Sequence, residues 1–162
     1  MKRLTLIRHG KSSWKYELPD HDRPLKKRAT SDAALVIGAL RSQLEDRTPT
    51  LWSSSAKRAL DTASMFKEQL NIGDSSFFVK RELYTFDSEE LESVIRTCDD
   101  QIDDLMVFGH NPAITEFVEE LGTQSFANIP TTGLVAMEFD SPTWTDIYRG
   151  RTSFHLFPKN LR

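Results

Sequence analysis

Five side chains stand where short apolar segments give way to polar ones. Arg8 and His9 follow Leu4 to Ile7, Arg58 lies one turn beyond Thr50 to Ser53, Glu82 follows Phe77 to Lys80, and His110, with Asn111 after it, follows Leu105 to Phe108. Taken together they suit a phosphoryl group. Arginine presents a planar fork of donors to phosphate oxygens, and N–H groups at helix N-termini add positive potential. Two histidines can divide the remaining work, one attacking phosphorus as a neutral imidazole and the other, protonated, holding an equatorial oxygen. A carboxyl at Glu82 would protonate the leaving oxygen. Each residue alone has an ordinary reading: a hydrogen-bonded histidine at a strand end, a surface arginine, an exposed glutamate. Their coincidence at one topological edge favours the chemical reading.

Competing motifs fit less well. Gly10, Lys11 and Ser12 end like a phosphate-binding P-loop, but Thr5 stands where that loop demands its first glycine. The chain has no GxGxxG, HExxH, CxxC or GxSxG pattern, which removes the simple dinucleotide, zinc, redox and serine-hydrolase readings. His21, between Asp20 and Asp22, reads as a solvated loop residue and His155 as structural. No metal and no cofactor is expected.

The elements that must position these residues alternate. Leu4 to Ile7 reads as a buried strand, and Ala29, Ala33, Val36, Ile37, Leu40 and Leu44 recur at helical spacing, predicting a helix from Lys26 to Leu44. Thr50 to Ser53 predicts a second strand, and Ala59, Ala63, Phe66 and Leu70 a second helix ending near Gly73. Phe77 to Lys80 is a third strand; Ser88 caps a helix with Leu91, Val94 and Ile95 on its apolar face. Leu105 to Phe108 is a fourth strand, Pro112 occupies the first turn of a helix carrying Ile114, Phe117, Val118 and Leu121, and Leu134 to Phe139 and Phe154 to Phe157 are two further strands. This alternation predicts an α/β fold with a mainly parallel sheet covered by helices on both faces. In such sheets ligands bind beyond the carboxyl ends of the strands, where the five residues lie.

A length of 162 residues, with no linker-like stretch, predicts one domain over residues 1–162. Hydrophobic residues at 38% leave enough apolar surface for a core without disulfides, and Cys98, the only cysteine, has no partner within the chain. The net charge of −3 gives no overall attraction for nucleic acid or anionic membranes. The run Lys26, Lys27, Arg28 reads as the solvated start of a helix rather than an anion site. Leu4 to Ile7 is shorter than the roughly 7 to 15 apolar residues of a secretion signal, and no run approaches the ~20 that span a bilayer. A cytoplasmic location is expected.

The stretch Leu6 to Gly10 resembles the Arg-His-Gly motif that opens the histidine phosphatase superfamily, the group that includes phosphoglycerate mutases and acid phosphatases. More of the chain is similar to the small phosphohistidine phosphatase branch. The matching stretches are Asp22 to Leu25, Ser54 to Ala59 with Thr62 and Ala63, Glu82 to Tyr84, Val107 to Pro112, and Pro130 to Gly133. The likeness runs through nearly the whole chain in order. It implies a three-layer, phosphoglycerate mutase-like sandwich, His9 as a phosphorylated nucleophile, and a phosphate pocket of Arg8, Arg58 and His110 with Asn111 among the substrate-binding residues. Glu82 matches the acid of larger relatives. Ser55 departs from the pattern, which usually carries proline there, and only about twenty residues separate Glu82 from Asp103, where larger relatives insert covering segments.

The resemblance implies a protein phosphohistidine phosphatase, with a phosphatase for small phosphate esters as the alternative. A phosphoglycerate mutase would need a closed pocket that excludes water. A non-catalytic phosphopeptide-binding module would need the arginines but not both histidines.

Overall fold

In the computed structural model, which describes residues 1–162, the apolar runs form six strands. They are β1 (Lys2–Arg8), β2 (Thr50–Ser53), β3 (Phe77–Val79), β4 (Asp104–Gly109), β5 (Leu134–Phe139) and β6 (Arg151–Leu156). They make one sheet in the order β3-β2-β4-β1-β5-β6. Neighbours from β3 to β1 pair in parallel, and β5 pairs antiparallel with both β1 and β6, so β5 alone runs against the rest. Five helices accompany the sheet: α1 (Arg28–Leu44), α2 (Lys57–Gln69), α3 (Ser88–Ile95), α4 (Ala113–Leu121) and the short α5 (Pro158–Leu161).

Side chains alternate across a strand, so each strand feeds two cores. Leu4, Leu6, Trp52, Leu105 and Val107 point to one face, where Leu91 and Ile95 of α3 and Phe117 and Val118 of α4 cover them. Ile7, Leu51, Met106 and Phe108 point to the other, against Val36, Ile37 and Leu40 of α1 and Phe66 of α2. Phe66 meets Phe108 edge to face at 5.0 Å between ring centroids. The expected three layers are therefore present, and every residue of the predicted α1 and α4 stripes is buried. No helix is long and apolar enough to cross a membrane.

Helix α2 ends at Gln69 rather than near Gly73 and β3 at Val79 rather than Lys80, and three further boundaries differ from the sequence expectation for local reasons. Helix α1 begins at Arg28 rather than Lys26: the Ala29 and Thr30 N–H groups donate to the Lys26 and Lys27 carbonyls three residues back, at 3.0 and 3.2 Å, so the chain enters the helix through tighter turns. The cap of α3 is Asp87, whose carboxylate accepts from the Glu89 N–H at 2.8 Å, rather than Ser88. Strand β6 starts at Arg151, ahead of the expected Phe154; as an edge strand it is half exposed throughout and shows no clean alternation. Cys98 is buried in the core shared with α3 and α4, where burial, with Asp99 nearby, pushes its thiol up to about 12.

Register delivers the candidate residues to one place. Arg8 of β1 pairs with Gly109 of β4, and Ser53 of β2 pairs with Phe108, so His9, His110 and Ser54 leave adjacent strands side by side. Gly10 then lets α1 approach. A Cβ at this position would lie 2.9 Å from the Ala29 Cβ, a rigid neighbour in the first turn of α1. Gly10→Ala is therefore expected to cost about 1 to 3 kcal/mol by overpacking, read as a lower midpoint in urea unfolding. Unchanged stability would mean that α1 moves aside without penalty.

Candidate active site

His9 is held by its backbone from two sides. Its N–H donates to the Gly109 carbonyl at 3.1 Å, and its carbonyl accepts from the Thr132 N–H at 3.1 Å. The ring is oriented by Nδ1, which lies 2.8 Å from the Gly10 carbonyl. A carbonyl only accepts, so the proton of the neutral ring sits on Nδ1 and the lone pair on Nε2. Nε2 faces the Arg58 guanidinium, whose Nε–H donates to it at 3.4 Å. Burial pulls the ring's pKa from 6.5 down to about 4; the Gly10 bond opposes the shift, and Arg58, Arg8 and Arg23 reinforce it. At neutral pH His9 presents an unprotonated nitrogen amid guanidinium groups.

His110 lies beside it, ring centroids 5.3 Å apart. The Ser54 hydroxyl is 2.8 Å from its Nε2, and Nδ1 is buried without a partner. Burial first, then His9 and Arg58, bring its pKa down to about 3, so with only the protein's own charges around it the ring is neutral at pH 7. The protonated role expected from the sequence requires an anion between the two rings to supply the opposing charge.

Arg58, 2% exposed, is oriented by Asp20, whose backbone carbonyl accepts from Nη1 at 2.6 Å and whose Oδ2 accepts from Nη2 at 2.9 Å. The same Oδ2 accepts from the Tyr84 hydroxyl at 2.5 Å, and Oδ1 accepts from Arg23 Nε at 3.1 Å. Burial would raise the Asp20 carboxyl, but Tyr84, Arg58 and Arg23 together hold it well below the ordinary carboxylate range. Arg23, itself buried, donates to the Ser12 hydroxyl at 2.8 Å and stacks over Trp14 at 3.5 Å. Arg8 donates from Nη1 to the Ile129 carbonyl at 3.0 Å, while its buried Nε has no partner. Burial and the Arg58 charge lower its pKa.

A cleft of about 300 Å³ gathers Arg8, His9, Asp20, Arg23, Arg58, Phe86 and Asn111. Asn111 lines it with its amide already engaged: Nδ2 donates to the Asn128 side chain and the Ile129 carbonyl, and Oδ1 accepts from the Thr115 N–H and hydroxyl. It thereby fixes the carbonyl that also orients Arg8. Glu82 is not brought to this cleft. It is exposed on a single helical turn, Arg81–Leu83, and lines depressions on the outer side of Tyr84, one with His21 and Ser55, the other with Asp87 and Glu89.

Asp20, Arg23, Tyr84, Ser54, Thr62 and Thr132 were not read from the sequence as site residues. Thr62 accepts the Gly10 N–H at 2.9 Å. Thr132 is fully buried at φ 59, an unfavourable conformation for a β-branched residue, and its hydroxyl has no partner. The DxxR spacing of Asp20 and Arg23 was the available signal, since an aspartate and an arginine on one turn can share a carboxylate–guanidinium contact. His21, expected to be solvated, instead meets the Ser55 hydroxyl at 3.0 Å and the edge of Tyr84. Ser55 thus supplies a bond that proline lacks. No group of three or more His, Cys, Asp or Glu side chains is arranged to hold a metal ion.

Comparison with known proteins adds four findings. The model of the histidine phosphatase superfamily (branch 1) matches residues 4–92, more than half of the chain. An uncharacterized chloroplastic protein of Arabidopsis thaliana is 29% identical over 156 residues, covering 91% of this chain and 71% of its own length. Among solved structures, the protein histidine phosphatase SixA complexed with tungstate superposes with a TM-score of 0.81 at 21% identity over 99% of both chains. A mycobacterial glucosyl-3-phosphoglycerate phosphatase superposes at 0.69 and 14% identity, over 94% of this chain and 97% of that one. At such identities these superpositions speak to the fold.

The two depressed imidazoles give a testable pH dependence. Between pH 6.5 and about 4 the unfolded chain takes up protons that folded His9 and His110 refuse. Stability therefore falls as pH falls through this window, by up to about 1.4 kcal/mol per pH unit for each histidine. In urea unfolding at pH 7 and pH 5, His110→Asn should lose less stability on acidification than the wild type. Equal losses would place the titration elsewhere.

Proposed function

The chain belongs to the histidine phosphatase superfamily, and on that footing we propose that residues 1–162 form one metal-independent phosphatase unit whose nucleophile is His9. The observation that carries this is the Nδ1–Gly10 contact at 2.8 Å, which leaves Nε2 unprotonated among three guanidinium groups. Nε2 attacks phosphorus, the P–N bond forms as the bond to the leaving group breaks, and water then hydrolyses the phosphohistidine to restore the ring. Arg8 and Arg58 neutralise the phosphoryl oxygens through their forks. His110, neutral beforehand, takes up a proton as the dianion arrives; both ring nitrogens then carry hydrogen, so Nδ1 donates to the phosphoryl group and Nε2 to the Ser54 hydroxyl.

For the substrate we propose a phosphohistidine carried on a protein. Between Tyr84 and β4 the chain holds only α3 and turns, and the cleft stays open at its mouth: Trp14 at its rim is 76% exposed and Phe86 48%. A side chain displayed on another protein can enter such a mouth. The position of Glu82 outside the cleft supports the same choice, because a phosphoramidate bond needs less help from an acid than an alkyl ester does. Small phosphate esters are the second reading, favoured by the shared fold of the sugar-phosphate phosphatase.

The test is to compare kcat/KM for a phosphohistidine-bearing phosphocarrier protein and for a panel of phosphate esters. Preference for the phosphoprotein is expected; preference for esters promotes the second reading, and turnover of neither points to a binding module. Trapping with labelled substrate should give an acid-labile, base-stable phosphoenzyme, lost in His9→Ala. Label on serine would overturn the assignment of the nucleophile.

Asp20 already occupies donors on Arg58, Arg23 and Tyr84 that an incoming oxyanion would use. Asp20→Asn is therefore expected to bind inorganic phosphate about tenfold more tightly, the scale of one charge-assisted hydrogen bond, as read by competitive inhibition. Weaker binding would identify Asp20 as the residue that keeps Arg58 in position.

A further inference from the structure

We infer that the mouth of the cleft is a two-poled docking surface for a phosphorylated protein that is acidic on one side of its phosphohistidine and basic on the other. The inference rests on the phosphatase function proposed above and specifies the surface that must carry the phosphoryl group.

The positive pole is assembled by the fold. Residues 11–13 run antiparallel to 24–26: Ser12 bridges Leu25, the Ser13 N–H donates to the Pro24 carbonyl at 2.9 Å, and the Lys26 N–H donates to the Lys11 carbonyl. This brings Lys26, with Lys27 after it, alongside Lys11, which lines the cleft, and Lys15 follows on the same segment as Lys11 with its ammonium over the Tyr16 ring. All four lysines are exposed and none has a carboxylate partner, whereas Lys2, Lys57 and Lys67 do. Trp14 and Tyr16 stand among them at 76% and 54% exposure. In a chain of net charge −3, four unpaired cations around exposed aromatic rings form a local field opposite in sign to the whole.

The negative pole follows β3. Phe86 lines the cleft, and beside it Glu82, Asp87, Glu89 and Glu90 surround one depression. None of these carboxylates is in an ion pair with a basic side chain. The N-terminus of α3 accounts for the placement of Asp87, Glu89 and Glu90 on electrostatic grounds, but Glu82 precedes the helix. The sheet order separates the poles, because β2 and β4 lie between β3 and β1. A free phosphate ester in the cleft spans neither pole. A polypeptide spans both, and the opposed fields fix which way round it binds.

The test uses phosphohistidine peptides of equal length with flanks that are acidic–basic, basic–acidic or neutral, with phosphoramidate as the small probe. One bipolar peptide should exceed the neutral peptide by about tenfold in kcat/KM at low salt, and the advantage should fade as salt is raised. Lys26→Glu with Lys27→Glu should remove that preference and shift it toward peptides basic on that flank, leaving phosphoramidate turnover unchanged. Glu89→Lys with Glu90→Lys should do the converse. Turnover of phosphoramidate and of all peptides alike, or a preference untouched by both double variants, overturns the docking surface alone. No turnover of any probe overturns the phosphatase function and the docking surface with it.

Discussion

One proton decides how the site is built. By placing the His9 Nδ1 against the carbonyl of the next residue, the turn after β1 fixes the ring's tautomer through the backbone itself, with no second side chain required. That turn can be so tight only because Gly10 leaves room for α1, and it stays in place because its N–H is taken by Thr62 of α2 and the His9 carbonyl by Thr132. Each neighbouring element is therefore tied to the orientation of a single imidazole.

The electrostatics follow from the same crowding. Burial disfavours charge on both Arg8 and His9, and the guanidinium groups packed about the ring add their repulsion, so both pKa values are lowered. Asp20 relieves the repulsion for Arg58 and Arg23 while leaving Arg8 without a carboxylate. Such a cluster is stable as folded yet under-neutralised. The partnerless Arg8 Nε, His110 Nδ1 and Thr132 hydroxyl around His9 are the structural trace of that deficit.

Much of this was legible in the sequence, and the limits have physical causes. Local periodicity carried the helices, since the stripes of α1 and α4 depend only on residues three and four apart. Short apolar runs carried the strands of the sheet centre, and they found β6 but placed its start late, where an edge position blurs the alternation. Arg8, His9, Arg58 and His110 converge as read, because strand ends in a parallel sheet share an edge. Glu82 follows the same rule by position but leaves the cleft, because the turn that holds it buries Leu83 and turns Tyr84 inward in its place. Asp20 was missed because its importance comes from contacts 38 and 64 residues away, with Arg58 and Tyr84, which no local pattern records.

The reversed strand β5 has a consequence for how such a site can change over time. A parallel neighbour of β1 would bring only its carboxyl end to this edge, whereas β5 starts there, so the chain entering it runs along the side of the pocket, lines it with Thr131 and contributes Ile129 and Thr132. The segment between α4 and β5 is thus pinned at its far end by the Arg8 and His9 carbonyls, both bonded to the Thr132 N–H, and at its near end by edge strand β6, through Thr123 with Thr152 and Phe126 against His155. Residues added upstream of Ile129 would build a wall over the pocket without shifting a single rung of the sheet. Residues added after β4 would displace His110 itself. Diversity within this architecture has one inexpensive address, and it is the approach to β5.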